Sequence, residues 1–263
     1  MRFTKMHGLG NDYLYVYGDV PEDAAARSVR LSERHFGVGS DGMIYISPSD
    51  IADFKMRIFN ADGSEAMMCG NGIRCVGKYV YDKGYTDKTQ LTIETLSGVK
   101  SLKLHVETGE VRGVTVDMGL ATIGPDKHVD IDSTLIFCTP VTIGNPHAVL
   151  FTEDAEKAPV TALGSLLERH SSFPDGVNVE FVQVLSETVL RMRVWERGSG
   201  VTMACGTGAC ASVAAAAAKG FCRYDTPISV QLDGGALIVQ VSSNGRIAMT
   251  GPAELVYEGE VFL

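Results

Sequence analysis

The chain has 263 residues, of which 45% are hydrophobic and 21% charged, and its formal net charge at pH 7 is −9. This composition is typical of a globular protein and not of a disordered one. The negative net charge argues against nucleic acid or an anionic membrane as partner. The N-terminal residues lack the apolar segment of a secretory signal, and the most apolar stretch, 209–218, is too short to span a bilayer. We therefore expect a cytoplasmic protein whose six cysteines are reduced.

Two similar Cys-Gly motifs indicate an internal repeat. Residues 68–75 read MCGNGIRC and residues 204–210 read ACGTGAC, and a shift of 136 residues places Cys69 on Cys205. The same shift aligns FKMRIFN with LRMRVWE, and slightly different shifts align further Gly-containing pairs before and after them. Because these matches occur in order, the sequence predicts a duplicated α/β unit with copies at 1–119 and 120–251.

The predicted elements of each copy are several strands and one long helix. Alternating apolar residues predict strands at 54–59 and 190–195. After each Cys-Gly motif a helical segment of about four turns ends in Lys-Gly, a favoured C-terminal pair. The second helix, ACASVAAAAAK, is almost wholly small and apolar, which predicts burial inside a curved sheet. Further strands are predicted at LTIETL, KSLKLHV, GVTVDM, ISVQL and ALIVQV, joined by Gly, Asp and Asn turns.

These elements predict an α/β (α+β) fold of two homologous domains related by a pseudo-two-fold axis. Each domain is expected to be a curved, mostly antiparallel sheet or barrel wrapped around a central helix. No segment has the composition of a flexible linker, so we expect the domains to pack together around a cleft. Because the repeat ends near Gly251, the tail 252–263 is expected to return as a strand to the first domain.

The position of each cysteine at a helix start indicates acid/base chemistry. The first turn of a helix has unpaired N–H groups and a partial positive charge, which favour a bound carboxylate. The same environment is expected to lower the pKa of a thiol. Two thiols facing one pocket would suit inversion at a carbon that bears hydrogen, because one removes a proton and the other returns a proton to the opposite face. We find no nucleotide or phosphate motif and therefore expect neither cofactor nor metal.

The motifs resemble those of the diaminopimelate epimerase family. The pattern N-x-D-G-S-x4-C-G-N-[GA]-x-R is matched by Asn60, Asp62, Gly63, Ser64, Cys69, Gly70, Asn71, Gly72 and Arg74. The segments HGLGNDY, GNPHAV, ERGSG and ACGTGAC are also similar to that family, so the resemblance spans essentially the whole chain. It implies interconversion of LL- and meso-diaminopimelate, a small-molecule substrate of lysine and peptidoglycan-precursor synthesis, without pyridoxal phosphate or metal. It also favours a homodimer.

The resemblance also implies a role for each matching residue. Cys69 and Cys205 would be the acid/base pair, with His147 as a helper near Cys69 and Glu196 as a helper and substrate contact near Cys205. The α-carboxylate would be held by backbone N–H groups of Gly70, Asn71, Gly206 and Thr207. The distal end of the substrate would be read by Asn11, Asn60, Asn145, Asn178 and Arg197, whose planar fork can bind a carboxylate through two bonds.

Two positions depart from the family pattern. Gly42 stands where many members have Gln, and we leave it out of the predicted site. Val201 replaces an acidic residue in the run ERGSGV, which bears on the hydrogen bonding behind the second Cys loop. The four other cysteines, Cys75, Cys138, Cys210 and Cys222, are interpreted as small buried hydrophobic residues.

Other functions stay open at this point. A proline or hydroxyproline racemase or epimerase would share the chemistry, but these relatives usually have His where this chain has Asn71. A cofactor-free isomerase or lyase of the same fold often lacks one of the thiols. A structural zinc or redox protein is disfavoured, because five and four residues separate the paired cysteines and these spacings match neither a zinc knuckle nor a thioredoxin motif.

Overall fold

The computed structural model describes residues 1–262 and divides into two compact units. The first unit contains residues 1–116 together with the segment from Gly251 onward, and the second contains residues 117–250. Each unit is described separately below. Within residues 1–262, no helix is long and apolar enough to cross a membrane.

The first unit is a mostly antiparallel sheet with two helices. Its elements are β1 (Arg2–Gly8), β2 (Asn11–Tyr17), α1 (Ala24–Ser32), β3 (Gly42–Ser47), β4 (Phe54–Asn60), β5 (Glu65–Ala66), α2 (Gly70–Asp82), β6 (Gln90–Thr95), β7 (Gly98–Glu107) and β8 (Glu110–Leu120). The strands pair in the order β1-β2-β3-β4-β6-β7-β8, with β5 paired to β4. Only the β2–β3 and β4–β6 pairs of this series are parallel.

The second unit repeats this order of elements. It contains β9 (Thr122–Ile123), β10 (Lys127–Ile131), β11 (Thr134–Thr142), β12 (Pro146–Phe151), α3 (Val160–Glu168), β13 (Asn178–Ser186), β14 (Val189–Glu196), β15 (Gly200–Val201), α4 (Gly206–Ala218), β16 (Ile228–Leu232), β17 (Gly235–Val241) and β18 (Arg246–Gly251). The strands pair in the order β11-β12-β13-β14-β16-β17-β18, and the parallel pairs are again the second and the fourth. The predicted fold class is therefore confirmed, as are the strands predicted at 54–59 and 190–195.

Helices α2 and α4 are the central helices of their units. Eleven of the thirteen residues of each are buried, as expected for a helix that a sheet surrounds. The alanines of α4 allow close approach of β11, β12, β13, β14, β16 and β17. Each helix is capped by a lysine and followed by glycine in the left-handed region, with φ +74° at Gly84 and +75° at Gly220, which confirms the predicted helix ends.

The last strand, β19 (Glu254–Glu260), pairs antiparallel with β1 of the first unit. An edge-to-face contact between Phe3 and Tyr257 lies across this pair, with ring centroids 5.9 Å apart. Just before β19, the carbonyl oxygen of Pro252 accepts a hydrogen bond from Nε of the buried Arg74 at 3.1 Å. The duplication and the proposed boundary at 119/120 stay predictions, which the repeated element order supports.

Candidate active-site residues

Cys69 and Cys205 are the N-caps of α2 and α4. Both residues have extended backbone conformations, and each side chain accepts a hydrogen bond from the third residue after the cysteine. The distances from the amide nitrogens to Sγ are 3.3 Å for Gly72 and 3.4 Å for Gly208. A helix has no internal acceptors for the N–H groups of its first turn, so each motif presents donors next to its thiol.

Asn11, one of the residues predicted from the sequence, is a hydrogen-bond partner of Cys69. The thiol donates to Asn11 Oδ1 at 3.3 Å, and Asn11 Nδ2 donates to Asp41 Oδ2 at 2.8 Å. Tyr13 also interacts with Asn11 and Cys69. Its pKa is raised well above the usual value, mainly by burial and then by Cys69. The phenol is therefore protonated and neutral at neutral pH.

Asn60 lies at the end of β4 and begins a tight turn formed by the signature residues. Asn60 Nδ2 donates to Ser64 Oγ at 3.0 Å, and Ser64 in turn donates from N and Oγ to Asp62 Oδ1 at 2.9 and 2.6 Å. The signature thus builds the corner that presents Asn60 at the end of its strand.

Gly42 lies opposite Asn60 in the β3–β4 register. Its φ is +156°, and a Cβ at this position would meet the carbonyl oxygen of Phe59 and would lie 2.9 Å from Cα of Asn60. The backbone of this chain therefore admits only glycine here. The glycine that departs from the family pattern therefore allows the backbone of β3 to approach Asn60 closely.

Cys205 lies in a buried and acidic environment. Burial is the largest contribution that raises the pKa of its thiol well above the usual value, followed by the charges of Glu196 and Glu180. The hydroxyl of Thr207 and the N–H of Gly208 lower the pKa, but they do not compensate. The expected lowering of the pKa by the helix start is thus wrong for Cys205, because loss of hydration and two carboxylates outweigh the helix N-terminus.

Glu196 lies at the end of β14 and interacts directly with the Cys205 side chain. Its pKa is raised by burial above all, while hydrogen bonds with Thr202 and Cys205 oppose the shift. Thr202 Oγ1 donates to Glu196 Oε1. Val201, the other departure from the family pattern, is 44% exposed on β15 and takes no part in this hydrogen bond. The hydrogen bond to Glu196 next to Cys205 is thus donated by Thr202 and does not need an acidic residue at position 201.

His147 belongs to the unit that contains Cys205. Its Nδ1 lies 2.6 Å from Glu180 Oε1, and its Nε2 lies 3.0 Å from Asn145 Oδ1. Asn145 Nδ2 donates to Thr207 Oγ1 at 3.2 Å, and that hydroxyl lies 3.6 Å from Cys205 Sγ. Three residues predicted from the sequence, His147, Asn145 and Thr207, are therefore connected by hydrogen bonds within one unit.

Asn178 and Arg197 are neighbours at the ends of β13 and β14. Asn178 Oδ1 accepts the backbone N–H of Arg197 at 2.9 Å, and Asn178 Nδ2 donates to the carbonyl of Pro146 at 3.1 Å. The Arg197 side chain is exposed, packs on Gly176 and donates from Nη1 to the carbonyl of Asp175 at 2.6 Å. The guanidinium group keeps further N–H donors for a ligand.

Sequence reasoning missed four residues of these networks: Tyr13, Asp41, Glu180 and Thr202. Two of them carry a signal that would have found them. Tyr13 follows Asn11 by two residues and Glu180 follows Asn178 by two residues on strands β2 and β13. Alternate residues of a strand share a face, so both side chains had to lie beside a predicted site residue.

The six cysteines are all free. Within residues 1–262, no group of three or more His, Cys, Asp or Glu side chains has an arrangement that could hold a metal ion.

A model of the diaminopimelate epimerase family matches residues 3–124 and 139–256. The chain belongs to the diaminopimelate epimerase family. It is 50% identical to a diaminopimelate epimerase of Methanococcus maripaludis strain C5, over 99% of both chains. It is 51% identical to one of Bacteroides thetaiotaomicron, over 99% of this chain and 98% of the relative. A probable proline racemase of Agrobacterium radiobacter K84 shares the fold, with a TM-score of 0.76 at 18% identity over 100% of this chain and 93% of that one.

Proposed function

We propose that this chain interconverts LL- and meso-diaminopimelate by a cofactor-independent, two-base mechanism in which Cys69 and Cys205 exchange protons with the α-carbon. The observation that carries the proposal is that both cysteines are N-caps of the central helices, each with a glycine N–H bonded to its sulfur. Equivalent thiols in two repeated units match the equivalent tasks of removing and returning one proton.

The environment of Cys205 supports its role as the proton donor of the free enzyme. A thiol whose pKa lies well above the usual value is protonated at neutral pH. When Cys205 has given up its proton, Glu196 is the adjacent group that can assist its reprotonation, because burial raises the pKa of Glu196 as well. In this assignment Cys69 removes the substrate proton as a thiolate. In the resting state its thiol donates a hydrogen bond to Asn11 Oδ1, so this hydrogen must leave the sulfur for solvent before the reaction.

The helix starts supply the second requirement of the reaction. As the α-carbon loses its proton, negative charge develops on the adjoining carboxylate. We propose that backbone N–H groups of Gly70, Asn71, Gly206 and Thr207 bind that carboxylate and stabilise the charge. These donors are fixed by α2 and α4, so they need no reorganisation during the reaction.

The distal amino-acid end of diaminopimelate requires a carboxylate receptor and groups for an ammonium. We assign the carboxylate to Arg197, whose side chain is exposed at the end of β14, because a guanidinium binds a carboxylate through two hydrogen bonds. Asparagine side chains both donate and accept and so suit the ammonium. We assign this role to the remaining asparagines of the predicted set: Asn11, Asn60, Asn145 and Asn178.

Isotope exchange tests this proposal. In heavy water the enzyme should place deuterium on one α-carbon of LL- or meso-diaminopimelate while inverting it, and proline should remain unlabelled. Cys69→Ala and Cys205→Ala should each abolish inversion, whereas Cys222→Ala, which alters a buried cysteine outside both motifs, should retain it. Full epimerase activity in either single active-site variant would refute the two-base assignment, and exchange into proline would favour the racemase alternative.

We also propose a cytoplasmic homodimer that serves lysine and peptidoglycan-precursor synthesis. The support for a dimer is β19, on which Leu255, Val256 and Tyr257 are 47%, 48% and 41% exposed. Several exposed apolar side chains on one strand commonly mark an association surface. Light scattering of the purified chain would test this, and a Tyr257→Lys variant should be monomeric if β19 carries the contact.

A further inference from the structure

Ile44 and Glu180 occupy the same place in the two units. A Cβ on Gly72 would lie 2.7 Å from Ile44 Cδ1, and a Cβ on Gly208 would lie 2.7 Å from Glu180 Oε1. Each residue thus lies against the glycine three positions after its cysteine and on the equivalent strand, β3 or β13. The first unit uses an apolar side chain here, and the second uses a carboxylate.

The two units also differ at a second pair of matching residues. The residue two places after Asn11 is Tyr13, and the residue two places after Asn145 is His147. Tyr13 is a neutral partner of Cys69, whereas His147 contacts Glu180 at 2.6 Å. The second unit has therefore replaced a neutral pair by an ionisable pair at the matching place.

Glu180 is costly to bury. It is 0% exposed, and its Oε2 has no hydrogen-bond partner within the residues that the structure describes. An unsatisfied buried carboxylate oxygen lowers stability, and isoleucine at the equivalent place of the first unit avoids this cost. A buried group of this kind, retained beside a proposed catalytic thiol, requires a functional explanation.

The hydrogen bonds of His147 define what Glu180 does to the ring. Both ring nitrogens face oxygen acceptors, Glu180 Oε1 at Nδ1 and Asn145 Oδ1 at Nε2. Asn145 Oδ1 can only accept, so Nε2 must carry a hydrogen. The contact between Nδ1 and Glu180 holds the ring in the orientation in which Nε2 reaches Asn145. Glu180 therefore fixes the direction in which the ring donates.

We propose that Glu180 is a positioning residue of the Cys205 half of the site, which holds the His147 ring so that Nε2 donates to Asn145. The catalytic consequence rests on the proposed function, but the effect on His147 does not. Through Asn145 and Thr207, the orientation of the ring extends to the sulfur.

Nitrogen-15 NMR of the His147 ring tests the positioning effect. The proton on Nε2 should exchange slowly with water in the wild type and in Glu180→Gln, which keeps a hydrogen-bonding group at Nδ1. It should exchange about tenfold faster or more in Glu180→Ile, which installs the residue of the first unit and no longer holds the ring against Asn145. Equal exchange in folded Glu180→Ile would overturn the positioning role. If Glu180→Ile does not fold, Glu180→Ala takes its place in this comparison.

Turnover links this effect to catalysis. Glu180→Ile should lower kcat by about tenfold, with a smaller change in KM, because it releases the ring behind Cys205, whereas Glu180→Gln should retain most of the activity. Glu187→Gln, a change on a side chain that is 73% exposed, is the control and should leave kcat unchanged. Full kcat in Glu180→Ile with a released ring would remove the catalytic consequence and leave the positioning assignment. A wild-type enzyme inactive on diaminopimelate would instead refute the proposed function and leave the spectroscopic test valid.

Discussion

Asp41 accepts a hydrogen bond from Nδ2 of Asn11 at 2.8 Å and thereby turns Oδ1 of Asn11 toward the Cys69 thiol. The same carboxylate oxygen accepts the backbone N–H of Asp12 at 3.0 Å. An amide side chain that lacks such a partner can rotate by half a turn and present N–H groups instead of oxygen. The orientation of the acceptor at Cys69 is therefore determined by a residue outside the family motifs.

We expect Asp41→Ala to lower kcat by about 5- to 30-fold, which corresponds to the loss of one charged hydrogen bond. Asp41→Asn retains an oxygen that can accept from Asn11 and should restore most of the activity. Steady-state kinetics of the two variants, with melting temperatures to confirm folding, measure the difference. Equal kcat for Asp41→Ala and wild type would show that Asn11 does not need this partner.

The backbone at Gly42 predicts a large cost for any side chain there. Gly42→Ala would combine a φ of +156° with a Cβ that meets the Phe59 carbonyl, whereas Gly18 has a φ of +138° and open space around its Cβ position. Gly18→Ala therefore measures the conformational cost alone. We expect Gly42→Ala to lower the free energy of unfolding by about 3 kcal/mol and Gly18→Ala by about 1 kcal/mol. Urea titrations measure both values, and equal losses would remove the packing argument.

The repeat, the central helices and most strands could be predicted from the sequence because their signals are local. Alternation in FKMRIFN and the Lys-Gly ends of the helices depend only on neighbouring residues. The contacts of Asp41 with Asn11 and of Glu180 with His147 depend instead on which strands lie side by side, and no local pattern encodes the β2–β3 and β12–β13 pairs. The direction of the Cys205 pKa shift was predicted wrongly for the same reason, because burial and the approach of two carboxylates are tertiary properties.

The pairing of β19 with β1 predicts that the C-terminal tail stabilises the first unit. Deletion of the residues after Gly251 removes this strand pair, the Phe3–Tyr257 contact and the Pro252 carbonyl that Arg74 contacts. Hydrogen exchange in β1 and α2 should then become about tenfold faster or more, while exchange in α4 stays unchanged. Phe262→Ser, which alters a side chain that is 90% exposed, is the control and should leave both regions unchanged. Unchanged exchange in β1 after the deletion would contradict the prediction.

Buried thiols predict that the protein loses stability at alkaline pH. Burial raises the pKa of Cys75, which is 0% exposed, from 9.0 to about 11. Because the folded state keeps this thiol protonated longer than the unfolded state, its contribution is complete below pH 9 and is lost as the pH rises toward 11. The two pKa units correspond to about 3 kcal/mol at most.

Cys75→Ala should therefore flatten the decline of the free energy of unfolding above pH 9. Its stability at pH 7 should fall by about 1 kcal/mol, because the substitution leaves a small cavity, so the curves of variant and wild type should converge as the pH rises. Urea titrations between pH 7 and pH 10 measure this convergence, and below pH 10 the buried Tyr15, whose ordinary pKa is 10.0, does not yet contribute. Parallel curves over that range would show that the Cys75 thiol titrates alike in the folded and unfolded states.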